Sequence, residues 1–182
     1  MKAIRKSILL LMLAAVPFLS FAQNSKIPQR NEIVRVEVGG EGSDEIIEVF
    51  DQPVDGESHY FLSVGHLGFG DEVIQVLFDP IFELFIPLGD NLDEAMETLQ
   101  QMQALFKEPV GTSLETTGCL AFGFPRENRE PVKVTYRKPL LSKLLEFSVE
   151  REGYIRAAHL QKSDFNSLVR GVKFYKKLHP KK

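Results

Sequence analysis

Val34, Val36 and Val38 fall on one side of an extended chain, with Arg35 and Glu37 on the other. A period-two pattern of this kind lets a strand bury only one of its faces. The same alternation returns along much of the chain in short runs separated by turn residues, and it constrains the fold more than any other feature. Glu45 to Phe50 reads as a second strand after a turn over residues 39–43. Asp55-Gly56 marks the tip of the next turn. His59 to Gly65 follows, with Tyr60, Leu62 and Val64 on one face. Glu72 to Phe78 reads as a fourth strand, and Ile81 to Ile86 as a short fifth or a continuation bent at Pro80.

The period then changes. Leu92, Ala95, Met96, Leu99, Met102, Leu105 and Phe106 recur at helical spacing. Asn91, followed three residues later by Glu94, fits an N-terminal cap, and Pro109 and Gly111 end the segment. The second half repeats this order. Leu114 to Phe124 forms a strand, Val132, Val134 and Tyr136 alternate with Lys133, Thr135 and Arg137, and Leu145, Phe147 and Val149 alternate with Glu146, Ser148 and Glu150. Glu152-Gly153 turns the chain into Tyr154 to Leu160. A final helix, capped by Ser163, places Phe165, Leu168, Val169, Val172 and Tyr175 on its apolar side.

Runs of strands kept apart from helices, with loops this short, imply α+β rather than alternating α/β architecture. The expected fold is a curved antiparallel sheet of about eight strands with two helices packed on one face. The order suggests a duplicated ββββα unit, although no residue-level repeat accompanies it.

The first 22 residues read as a cleaved secretory signal. Lys2, Arg5 and Lys6 precede an apolar run from Ile8 to Val16, and Ser20-Phe21-Ala22 sets small side chains before Gln23. Residues 23–31 are then a polar, mobile leader and 32–182 a single domain, periplasmic or secreted, with no transmembrane segment in the mature chain. The signal carries three of the 22 basic residues and none of the 25 acidic ones. The remainder, with 19 basic and 25 acidic residues, has a formal net charge of −6. That balance argues against nucleic-acid binding, which needs clustered positive charge. Cys119 is the only cysteine, so no internal disulfide forms and stability has to come from packing, above all of the 12 of 14 phenylalanines that follow the signal.

No catalytic signature stands out. Cys119 lies in an apolar strand without the neighbours that activate a thiolate, and no G-x-S-x-G elbow is present. His59, His66, His159 and His179 lack the spacing of metal ligands, so neither a metal nor a cofactor is expected. The most unusual stretch is residues 65–71, where three glycines surround His66, Leu67, Phe69 and Asp71. Read functionally it is a binding lip, with His59 nearby; read structurally its glycines serve a turn and its Phe tucks inward. The lysines near the end of the last helix could meet an anionic surface, or could simply complement the helix dipole. The outward sheet face, with Arg35, Glu37, His59, Lys133, Arg137, Glu146 and Glu150, offers an open polar platform.

The resulting expectation is an exported, non-catalytic binding or interaction domain whose partner is a protein or small ligand. The alternatives are a small hydrolase-like enzyme using His59, His66 or Asp71, and an inhibitor of another exported protein.

Overall fold

The computed structural model describes residues 29–38, 46–66, 83–121, 123–151 and 153–180. The signal segment, the turn at 39–43 and the proposed strand at Glu72–Phe78 lie outside the described residues. Eight strands follow in chain order: β1 (Asn31–Glu37), β2 (Ile46–Asp51), β3 (Tyr60–His66), β4 (Glu83–Gly89), β5 (Ser113–Ala121), β6 (Glu130–Arg137), β7 (Leu144–Arg151) and β8 (Tyr154–Gln161). The helices are α1 (Leu92–Ala104), continued by a 3₁₀ turn at Leu105–Lys107, and α2 (Lys162–Leu178). The sheet order is β1 through β8 without crossover, and every pair is antiparallel. This is the expected α+β fold: an open, curved sheet in which each run of four strands ends in a helix. Among the described residues, no helix is long and apolar enough to cross a membrane.

Local chemistry sets the element boundaries. Asp55 and Gly56 both take positive φ, 52° and 90°, as a tight two-residue reversal requires. The Asn91 side chain caps α1, accepting from the backbone N–H groups of Asp93 and Glu94 at 3.0 Å each. Glu94 Oε2 in turn accepts from the Asp90 N–H at 2.8 Å, one residue before the cap itself. The expected Ser163 cap is not formed. Gln161 holds the N-cap position without a side-chain bond, and Ser163, inside the first turn, donates its hydroxyl to Asp164 Oδ1. Here β8 runs directly into α2, so strand geometry fixes the start of the helix two residues early.

The main core lies between the sheet and the helices. Ile47, Val49, Leu62, Val64, Leu84 and Ile86 of the first half, with Val134, Leu145 and Phe147 of the second, meet Leu99 and Met102 of α1 and Phe165, Leu168 and Val172 of α2. The helices run antiparallel to each other, joined near one end by Gln103 Nε2 donating to Asn166 Oδ1 at 2.7 Å. Gly171 lets α2 approach β1, because a Cβ there would come within 2.7 Å of Val34. Phe174, by contrast, turns away from the sheet and is 63% exposed rather than part of the core.

The outer face departs from the solvated platform expected of it. Phe50, Phe61, Phe85, Cys119 and Ala121 point opposite to the helices and form a second apolar cluster. Phe50 stacks on Phe61 at 5.7 Å and meets Phe85 edge-on at 5.8 Å. The alternation of β2 to β5 is therefore apolar on both faces over a few residues, which polar patterning alone does not reveal.

β5 joins the two halves. Its first six residues pair with β6, from Ser113↔Thr135 to Gly118↔Glu130, and its last three with β4, from Cys119↔Phe85 to Ala121↔Glu83. The changeover falls at Gly118, where a Cβ would meet Val132 at 2.8 Å, the Phe85 carbonyl oxygen at 2.9 Å and Leu84 at 3.0 Å. A backbone oxygen cannot swing aside as a side chain can. Gly118→Ala is expected to lower stability by roughly 1–3 kcal/mol, the usual cost of overpacking. Urea denaturation of the two proteins measures it, and an unchanged midpoint would show that the crossing tolerates a methyl group.

Candidate functional site

Of the residues singled out in the sequence, His59 has a defined partner. It lies just before β3, and its Nδ1 is 2.7 Å from Asp90 Oδ1. Its backbone N–H donates to Asp51 Oδ1 at 3.2 Å, and its carbonyl accepts from Gln52. His66 closes the other end of β3, where its backbone pairs with Glu83. Seven residues of extended chain separate the two histidines by about 20 Å, so they do not share a site. Leu67, Phe69 and Asp71 lie outside the described residues. Among the described residues, no three His, Cys, Asp or Glu side chains converge in a way that could hold a metal.

Two other places gather chemistry. The first covers the outer apolar cluster. Arg30, expected in a mobile leader, is instead held just ahead of β1. Its guanidinium lies 4.1 Å from the Phe50 ring centroid and 5.7 Å from that of Phe85. It donates to both Glu48 oxygens, at 3.2 and 2.7 Å, and to the Gly123 carbonyl at 3.2 Å. Glu83 stands 3.5 Å away and accepts the Ser63 hydroxyl at 3.1 Å. A recess of about 220 Å³ opens beside this group, reaching Arg35, Ile46 and Gly65. No sequence pattern links Arg30 to carboxylates 18 and 53 positions on. Its position just before a strand was the only local signal. Cys119 lies in the same layer, buried at 4% exposure and accepting the Arg126 N–H at 3.2 Å. Burial pushes its thiol pKa up, as expected for a structural rather than a reactive cysteine.

The second place is a cleft of about 540 Å³ between the start of α1 and the end of α2. Leu92, Met96 and Pro180 supply apolar wall, while Lys173, Lys177 and His179 stand around it. Lys176 is ion-paired with Asp93 across the cleft and ties the two helices together. Among the described residues, Lys173 and Lys177 have no carboxylate within ion-pair distance. His179 packs its ring on Tyr175 at 4.2 Å, and its Nδ1 lies 3.0 Å from the Tyr175 carbonyl oxygen. That carbonyl can only accept, so Nδ1 carries a proton and Nε2 is the other ring nitrogen left to meet a ligand. The lysine run was visible in the sequence. Its pairing with an apolar wall from α1 required the tertiary fold.

The polar residues of the outer face are organised where β6, β7 and β8 run side by side. Arg137 donates to Glu146 Oε1 at 2.9 Å, and His159 Nε2 lies 3.3 Å from Glu146 Oε2. Burial opposes ionisation of Glu146, but the bonds and charges of Arg137 and His159 outweigh it and hold the carboxyl below its ordinary value of 4.5.

Two measurements test these arrangements. Arg30→Ala strands Glu48, whose side chain is only 11% exposed. It is expected to cost about 2 kcal/mol, and Arg30→Ala with Glu48→Gln should recover most of that. Equal stability of wild type and the single variant would show that water already screens the pair. Glu146 has a lowered folded-state pKa, so its contribution is complete above its ordinary range and is lost as pH falls through the folded value. The difference in Tm between wild type and Glu146→Gln should therefore narrow as pH drops below 4.5. A difference that stays constant over that range would remove the ionic role.

Comparison of the chain with protein-family models, with curated proteins and with solved structures finds no match to any of them.

Proposed function

We propose that this is an exported, non-catalytic binding domain, that its site is the cleft between α1 and α2, and that its ligand is an amphipathic anion. The observation that carries this reading is the composition of the cleft: an apolar wall from Leu92, Met96 and Pro180, with Lys173 and Lys177 beside it and no carboxylate paired with either among the described residues. A volume of about 540 Å³ falls within the range of small-molecule sites, which combine mostly apolar lining with a few placed polar groups. An acyl chain or similar apolar body fills the wall, and a carboxylate or phosphate at its end meets the ammonium groups. The charge is local, since the domain as a whole is acidic. Attraction to an anion therefore comes from these few side chains and not from a general positive field.

The hydrolase-like alternative has less support. It calls for titratable groups converging on a site where substrate can reach them. Glu48 and Glu83, which do converge, have Arg30 seated between them.

The test is displacement of a fluorescent acyl probe by a fatty acid and by the fatty alcohol of equal length. The acid should compete and the alcohol should compete poorly. Lys173→Glu with Lys177→Glu should weaken the acid about tenfold or more while leaving Tm nearly unchanged, because both side chains sit at the cleft rim. Equal competition by acid and alcohol, or no effect of the double variant, would remove the anion from the proposal. Failure of the probe to bind would remove the cleft.

A further inference from the structure

The connection from β6 to β7 runs Arg137-Lys138-Pro139-Leu140-Leu141-Ser142-Lys143, and every residue of it is exposed. Leu140 and Leu141 are each 96% exposed, whereas Ile155, the next most exposed large apolar side chain described, reaches 69%. Leu140 also holds φ at +50°, a conformation that glycine or asparagine adopts readily and a leucine does not. The turn is closed by the Ser142 N–H donating to the Pro139 carbonyl at 3.0 Å. Its base is fixed to the start of α2, where the Lys162 N–H donates to the Lys143 carbonyl at 2.8 Å. Two adjacent leucines are thus projected from a rigid root, at a point where polar turn residues would have been better solvated and less strained.

We infer that this hairpin tip anchors the domain on an anionic lipid bilayer. Leu140 and Leu141 enter the boundary between headgroups and acyl chains, and Lys138 and Lys143 meet lipid phosphates at the level of the root. The geometry favours lipid over a protein partner. Two side chains on a convex turn are far short of the roughly 1,000 Å² a specific protein interface buries, whereas shallow insertion beside basic residues is how interfacial segments hold a membrane. Arg137 is engaged by Glu146, but among the described residues Lys138 and Lys143 have no ion-pair partner. This proposal is independent of the cleft, which lies at the other end of α2, about 25 Å away along a helix of this length.

The chain has no tryptophan, so Leu141→Trp introduces a single reporter at the tip. In the otherwise unchanged protein, its emission should shift to the blue with vesicles of phosphatidylcholine and phosphatidylglycerol, and brominated acyl chains should quench it. Lys138→Glu with Lys143→Glu should weaken partitioning by about tenfold or more, and high salt should do the same. Leu140→Ser with Leu141→Ser should abolish co-sedimentation with these vesicles while leaving circular dichroism unchanged. Emission that stays at its solvent-exposed position with every vesicle overturns the inference. So does a shift produced only by added envelope protein, which would assign the tip to a protein partner.

Discussion

The close passage of β5 over Phe85 at Gly118 sets the form of the whole sheet. A strand carrying a side chain there would press on Val132 and the Phe85 carbonyl just where its hydrogen bonds pass from β6 to β4. Only three residues of β5 pair with β4, so the two four-stranded runs are joined by a narrow seam. The sheet curves there enough for β8 to approach β3 and for α2 to lie across β1, the most distant strand in sequence. The helices can then meet, and the main core closes between them and the concave side of the sheet. Short connections and neighbour-to-neighbour pairing make this arrangement simple to specify, while the close seam at Gly118 leaves no room for a Cβ.

That curvature also explains why the two sides of the sheet differ. The concave side is covered by helices and carries the main apolar core. The convex side is apolar only near the seam, where Phe50, Phe61, Phe85 and Cys119 crowd together and Arg30 covers them. A guanidinium suits this position because its flat face rests on the aromatic rings while its edge satisfies two carboxylates and a carbonyl. Farther out, on β6 to β8, the convex side becomes the charged surface that alternation implies, with Arg137, Glu146 and His159 bonded across three strands.

Most of the architecture was legible because it rests on periodicity. The alternating valines of β1, the Leu145-Phe147-Val149 series and the helical spacing from Leu92 to Phe106 each report which side faces the core, and each does so locally. Asn91 was readable as a cap for the same reason. What escaped depends on partners distant in sequence. Arg30 finds Glu48 and Glu83, and Lys173 finds a wall built by Leu92 and Met96. Such meetings leave no pattern in a single chain. Residues 67–71 lie outside the described residues, so the binding-lip and structural-turn readings of this stretch both stand.

The packing of α2 against β1 carries a consequence for how the domain is made. Sheet neighbours are neighbours in sequence, so hairpins can form as the chain emerges. The first strand, however, waits for the last helix to cover Val34 and its neighbours. Until Gly171 has docked, the earliest-made surface stays wet and open to other extended chains. A chain emerging from its N-terminus would thus be held in a partly assembled state until its final turn arrived, and a chaperone shielding β1 would be of most use in that interval.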